Sequence, residues 1–306
     1  MSKALRSWQP YLLLALANLF WAGNWVIGRA LRDSYAPITL NFWRWLLAAV
    51  ILAPIALPLL KDKAHLLRQH AALLAVLAAT GGALFQCLVY FGLRSTTTVN
   101  AVLLNSSAPL FMLLCSWMLE REKASDRQVL GMLVSFAGIG VILARGDLAA
   151  LRQLDFHSGD AWILLAMPVW GVYSVLLKRL PAELRGSMFL FTLAVLTVLM
   201  LAPALLLERH HVPARPPGGA ALLGLGYLGL FASVLAFTCW NRAVAAVGAN
   251  VAGFSLSLLP AFGTILAMIF LGEELRPFHV AGIVTIFCGV ALATRPAPRV
   301  RVTESR

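Results

Sequence analysis

Apolar stretches long enough to cross a lipid bilayer recur along the whole chain, and nothing else in it restricts the fold so severely. They occupy residues 10–31, 38–60, 71–93, 98–119, 128–145, 160–179, 187–207, 219–241, 249–271 and 278–294. About 20 residues of helix span a hydrocarbon layer of roughly 30 Å. In hydrocarbon each backbone N–H and C=O must be bonded within the chain, which for runs of this length leaves helices. The expected fold is an all-α integral membrane protein of ten transmembrane helices. Composition agrees, because 60% of the 306 residues are hydrophobic and 12% charged, too little polar surface to cover a soluble core.

Short polar or Pro/Gly-containing segments part the runs: KDKAHLLRQH (61–70), EREKASDR (120–127), RGDLAALRQLDFHSGD (145–160) and ERHHVPARPPGG (208–219). Lys3 and Arg6 before LLLALANLFWAG resemble a signal-peptide start, but the run continues to about Leu31 and others follow, so a retained first helix is expected. With the N-terminus inside, sixteen basic residues fall on the cytoplasmic side and eight on the other, Arg44 lying within a helix. That bias predicts cytoplasmic termini. It also accounts for the net charge of +12 without nucleic acid, since no basic stripe or RNA-reading signature is present. Cys87, Cys115, Cys239 and Cys288 sit one to a run, without metal or redox spacing, and read as small buried hydrophobes.

The two halves resemble each other. ANLFWAGNWVIGRAL (17–31) aligns with AMPVWGVYSVLLKRL (166–180), pairing Trp21 with Trp170. Further on, a shift of 151 pairs Ala101 with Ala252, Ser106 with Ser257, Pro109 with Pro260, Glu122 with Glu273, Gly131 with Gly282 and Gly138 with Gly289. The units are 1–150 and 158–306, five spans each. An odd number of spans makes the second copy enter the membrane from the opposite side. Two inverted five-helix repeats about an axis in the membrane plane are an arrangement of secondary transporters, with the substrate near midplane.

Polar groups facing lipid are costly, so they mark the inward face of each helix. Asn18, Trp21 and Trp25 share one side of the first span, with Asn24 beside them. The third span offers Gln86 and Tyr90, the fourth Asn105 and Ser106, the sixth Trp170, Tyr173 and Ser174, the eighth Trp240 and Asn241, and the ninth Ser255 and Ser257. Amides and hydroxyls can bond an amino or carboxylate group, while indole and phenol rings stack on flat apolar cargo. The same residues could instead bond helix to helix or sit in the interfacial belt. Gly81, Gly82, Gly226, Gly229, Pro109 and Pro260 suit close helix contacts or bends. All carboxylates and histidines lie in loops or at helix ends, leaving no acid or imidazole for a midplane proton relay. No span carries an acid/base pair, metal cluster or activated nucleophile, so neither an enzyme nor a cofactor is expected. Arg44, in NFWRWLL, falls roughly 10 Å along a helix that starts near Pro37. It can bond carbonyls or helix ends within the fold, or attract a substrate carboxylate, with Trp43 and Trp45 expected near the interface.

LFWAGNWVIGRAL, APITLNFWRWLLAAVIL and the two tails SAPLFMLLCSWMLEREKASDRQVLGMLVSFAGIGVIL and LLPAFGTILAMIFLGEELRPFHVAGIVTIFCGVAL resemble the EamA-type exporters of the drug/metabolite transporter superfamily. Arg121 departs from that pattern, standing where the family has glycine before Glu122. The resemblance implies export of small metabolites, foremost hydrophobic or aromatic amino acids, across a bacterial inner membrane. The small multidrug relatives use a first-helix glutamate for proton-coupled export of cations. Its absence here argues against lipophilic cation cargo and favours facilitated diffusion or exchange. The alternatives are other neutral metabolites, or a channel or lipid-handling protein.

Overall fold

Long helices account for nearly all of the computed structural model, which describes residues 3–96, 101, 104–144, 157–211, 218–271 and 277–294. They are α1 (Lys3–Ala30), α2 (Pro37–Gln69), α3 (Ala71–Ser95), α4 (Ala108–Glu120), α5 (Asp126–Leu143) and α6 (Ser158–Arg179). After these come α7 (Ser187–His211), α8 (Gly219–Val247), α9 (Ala249–Ser255), α10 (Leu258–Leu271) and α11 (Pro277–Thr294). Seven helices are long and apolar enough to cross a membrane, within α1, α2, α3, α6, α7, α8 and α11. Shorter apolar helices cover Ala108–Glu120 and Ala249–Gly263. No strand occurs among the described residues. Large apolar side chains such as Val50, Ile55, Leu199, Leu206, Leu223, Val284 and Phe287 are exposed on the outer faces. The polar residues Asn18, Asn24, Asn41, Arg44 and Gln86 are buried, the distribution a lipid solvent selects. The chain is a multi-pass membrane protein.

Several boundaries differ from the sequence reading. KDKAHLLRQH is not a separate polar link: α2 continues through it to Gln69, because the segment holds no helix breaker. Cys288 is exposed, Cys87 and Cys239 are partly exposed, and Cys115 alone of the four is buried; all are free thiols. Trp45 is fully buried rather than interfacial. Gly226 has open space where a side chain would go, so packing does not require its glycine. Residues 145–156, 212–217, 272–276 and 295–306, with Glu273, Arg276 and the C-terminal arginines, lie outside the described residues.

The ends have identifiable causes. α2 starts at Pro37, whose missing N–H costs nothing in a first turn. Its free Ile38 and Thr39 N–H groups donate to the Glu208 carboxylate of α7 at 2.9 and 2.6 Å, and the Thr39 hydroxyl adds a third bond at 2.7 Å. α5 begins in a capping box between Ser125 and Gln128. α8 ends at Gly248, where φ of +85° favours glycine.

Two wide-turn, π-helical segments interrupt long helices, Ala78–Leu84 in α3 and Leu228–Leu235 in α8. The ladder is also broken at residues 106–107 and 256–257. Each pair of interruptions corresponds under a shift of 150 or 151, so the local irregularities repeat along with the sequence. α5 packs along α11, α2 along α7, α3 and α4 along α6, and α1 along α8 and α10. Exchanging the two halves leaves that contact pattern unchanged. The α5–α11 contact is antiparallel and closest at glycines. A Cβ at Gly131 would lie 2.6 Å from Gly289 O, and one at Gly138 would lie 2.8 Å from Gly282 O. Each glycine thus meets the other's sequence counterpart.

Candidate functional site

A wide turn releases backbone carbonyls from the helical ladder, and within a bilayer something must donate to them. In α3 the donors come from α2. Asn41 Nδ2 bonds Gly82 O at 3.0 Å and Ala83 O at 3.2 Å, and Trp45 Nε1 bonds Gly82 O at 3.1 Å. In α8 the Ala232 carbonyl accepts Trp21 Nε1 at 3.1 Å and Arg44 Nη2 at 3.3 Å. Arg44 is fully buried. Its Nε donates to Ser233 Oγ at 2.8 Å, and its Nη1 to Asn24 Oδ1 at 3.1 Å and to the Tyr90 hydroxyl at 3.0 Å. The guanidinium therefore serves the fold from within rather than snorkelling. Among the described residues no carboxylate lies within ion-pair distance of it.

The Tyr90 hydroxyl donates to Asn24 Oδ1 at 3.1 Å, and the Tyr173 hydroxyl to Asn241 Oδ1 at 2.7 Å. The repeat shifts pair Asn24 with Tyr173 and Tyr90 with Asn241, so one interaction occurs twice with its chemistry exchanged. Arg44 joins only the first copy. α7, the helix corresponding to α2, carries no charge from Ser187 to Leu207.

Asn24 also lines a narrow cleft, with about 20 Å³ of free space inside it, room for about one water, and about 430 Å³ when its open mouth is counted. Its walls are Trp21, Asn24, Trp25, Phe85, Gln86, Val89, Asn105 and Ala108 from the first half, and Trp170, Phe237, Leu256 and Leu259 from the second. Behind it the rings form one cluster. Trp21 meets Trp170 edge-on at 5.1 Å between centroids and Trp240 at 5.3 Å, and Phe85 lies 4.8 Å from Trp170.

Of the residues the sequence singled out, Trp21, Asn24, Trp25, Gln86, Asn105 and Trp170 converge on this cleft. The others stand behind it. Asn18 bonds Leu14 O and Ser255 Oγ. Arg44 and Tyr90 hold Asn24, Tyr173 holds Asn241, Trp240 backs the aromatic cluster, and Ser257 is buried at the α9–α10 break. The sequence reading missed Phe85, Val89, Ala108, Phe237, Leu256 and Leu259, which inward polarity cannot flag because they are apolar. The repeat could have flagged two of them, since the 151-residue shift pairs Gln86 with Phe237 and Asn105 with Leu256.

At the end of the bundle where α4 and α6 finish, Lys178 Nζ pairs with Glu122 at 2.6 Å and Arg179 with Glu120 at 2.7 Å. Ser116 and Asn250 also donate to Glu122. At the other end Thr96 donates to Asp160 and Arg29 to the Leu93 carbonyl. No group of three or more potential metal ligands occurs among the described residues.

A polytopic helical bundle with a cleft between two related halves defines the class as a membrane transporter. The sequence pattern of the EamA-like transporter family matches residues 8–144 and again 157–295, and the chain belongs to that family. It is 28% identical to an uncharacterized transporter of Archaeoglobus fulgidus, the alignment covering 94% of this chain and 97% of that one. It is 29% identical to a protein of Streptantibioticus cattleyicolor named a probable terminal-alkyne amino-acid exporter, over 92% of both chains. A solved crystal structure shares the fold with a TM-score of 0.73 at 21% identity, covering 93% of this chain and 96% of that one.

Proposed function

We propose that this transporter is a secondary exporter of small metabolites, with hydrophobic and aromatic amino acids as cargo. It works by alternating access between two inverted five-helix repeats, 1–150 and 158–306, in a bacterial inner membrane with both termini in the cytoplasm. The observation that carries the reading is the cleft itself. Trp21 and Trp170, Gln86 and Phe237, Asn105 and Leu256, and Ala108 and Leu259 face it as four counterpart pairs, so an axis relating the halves passes through the space cargo would occupy. The antiparallel glycine contact of α5 with α11 supports opposite insertion of the halves. The tryptophan-rich lining suits a flat apolar side chain, and its amides suit a polar head. The Streptantibioticus relative, named for amino-acid export, points to the same cargo. Trp21, Asn24, Trp25, Gln86, Asn105 and Trp170 touch the cargo in this scheme.

The test is efflux. Proteoliposomes holding the purified protein are loaded with labelled phenylalanine, and its release is followed with and without a pH gradient. Release that exceeds that of empty liposomes and is lost in Trp21→Ala supports the proposal. Release indifferent to the protein defeats the cargo assignment. Tags on the two termini that react from opposite sides of the membrane defeat the inverted architecture.

A further inference from the structure

The cleft is chemically lopsided. At the counterpart pairs, the first half places Gln86 and Asn105 where the second places Phe237 and Leu256. At those positions the first half is amide and the second apolar, while Trp21, Trp25, Phe85 and Trp170 bring rings from both halves. A molecule satisfying both has a polar end and an apolar body, held in one orientation.

The lining offers N–H groups from both halves. Asn24 Oδ1 already accepts from Arg44 and Tyr90, which occupy its two lone pairs, so its amide N–H₂ is what remains for the cleft. Because Arg44 can only donate, the Asn24 amide cannot turn round, and a cation at its oxygen polarises its N–H bonds. Trp170, 3% exposed and lining the cleft, has an indole N–H with no acceptor, and an indole nitrogen never accepts. Gln86 Nε2, in the same lining, is buried without a hydrogen-bond partner. Among the described residues, no carboxylate lines the cleft to receive an ammonium group. Behind the amide wall sits the Arg44 guanidinium, ringed by neutral partners only.

Resting on the exporter reading above, we infer that the cleft selects its cargo by a carboxylate, bound to the Asn24, Gln86 and Trp170 N–H groups with the apolar body against Phe237, Leu256 and Leu259. An amino group on the cargo is tolerated and contributes nothing. Arg44 is a positioning residue: it orients Asn24 and supplies the positive potential without touching cargo. The substrate class is therefore apolar monocarboxylates, of which amino acids are one kind and amines are not.

The experiment uses the purified full-length protein in detergent and reads apparent affinity from the rise of the unfolding midpoint with ligand concentration. Phenylalanine, 3-phenylpropanoate, phenylalaninamide, phenethylamine and acetate form the series. Phenylalanine and 3-phenylpropanoate are expected to bind within about threefold of one another, and at least tenfold more tightly than the amide, the amine or acetate. A hydrogen bond to a charged group sets that scale. Trp170→Phe keeps a ring but loses the N–H, and weakens both acids about tenfold without affecting the amine. Asn24→Asp turns the donor into an acceptor and reverses the preference towards the amine. If the amine binds as tightly as the acids, carboxylate selection is wrong while the aromatic cargo assignment stands. Acetate matching 3-phenylpropanoate removes the apolar wall from recognition and overturns the oriented mode. If no compound with a ring binds, the cargo assignment fails and this inference falls with it. The wild-type ligand series decides the matter even if a variant does not fold.

Discussion

Replacing Arg44 by methionine should leave the fold nearly as stable as before, which is not the usual fate of a buried charge. Removing one member of a buried charge pair costs about 3–5 kcal/mol, because the other is left uncompensated. Here every group that loses Arg44 keeps another partner. The Tyr90 hydroxyl still donates to Asn24, and the Ser233 hydroxyl still donates to Leu228 O at 2.9 Å. The Ala232 carbonyl still accepts Trp21 Nε1. The guanidinium itself is buried without an anion, so removing it also removes its desolvation cost, and methionine fills much of the same volume. The expected change is within about 2 kcal/mol of zero, or no more than about 5 °C in the unfolding midpoint. Asn24→Leu makes the contrast, because it strands the Tyr90 proton and one Arg44 N–H, and should cost about 3 kcal/mol or more. Adding Arg44→Met to Asn24→Leu should recover part of that loss. The assay is thermal unfolding of the four proteins in one detergent, followed by tryptophan fluorescence. If Arg44→Met alone lowers the midpoint as far as Asn24→Leu does, the four bonds of Arg44 hold the helices together, and the accounting of leftover partners is wrong.

Gly131→Ala should destabilise by about 1–3 kcal/mol, since its Cβ meets backbone atoms of α11 at 2.6 Å. Gly289→Ala should match it in the same unfolding assay, whereas Gly226→Ala, with open space around it, should not. Glu208→Ala removes the carboxylate that caps α2 and should cost about 1–2 kcal/mol, read as a lower midpoint. Glu122 is held below the usual carboxylate range, first by the hydrogen bond from Lys178, which burial opposes as the next largest effect, with the Lys178 charge and the Ser116 hydroxyl adding to the depression. A depressed folded value stabilises above the unfolded carboxylate pKa and loses that contribution as pH falls through the folded value. The midpoint should therefore be flat from about pH 7 to 5 and decline in more acid solution. Glu122→Gln should shrink the decline by less than about 1 kcal/mol, because the pair is partly exposed.

How much of this was legible in the chain depends on which solvent decides each feature. Lipid imposes the helices and their approximate spans, because hydrocarbon punishes any unpaired backbone group wherever it occurs, and the apolar runs record that directly. The repeat was legible in the same way, since Trp21 with Trp170 and Gly131 with Gly282 survive as matched letters. Six cleft residues were legible because buried amides and indoles are too costly to keep idle in a membrane helix. What no run of letters specifies is where a helix changes its turn. TGG (80–82) and LFASVL (230–235) read as ordinary apolar helix, yet both lie within wide turns. The released carbonyls are what bring Asn41, Trp45, Trp21 and Arg44 inward. The sequence left Arg44 either bonding groups within the fold or attracting a substrate carboxylate, and its four partners, drawn from three other helices, show the first. Phe237, Leu256 and Leu259 carry no such signal of their own: apolar side chains are the default in this solvent, and apart from the repeat, which points to Phe237 and Leu256, only packing tells those facing a cleft from those facing lipid. The amino-acid order set which groups could not be left in oil. The assembled helices decided which of them meet, since that depends on distances between segments some 150 residues apart, which local chemistry does not encode.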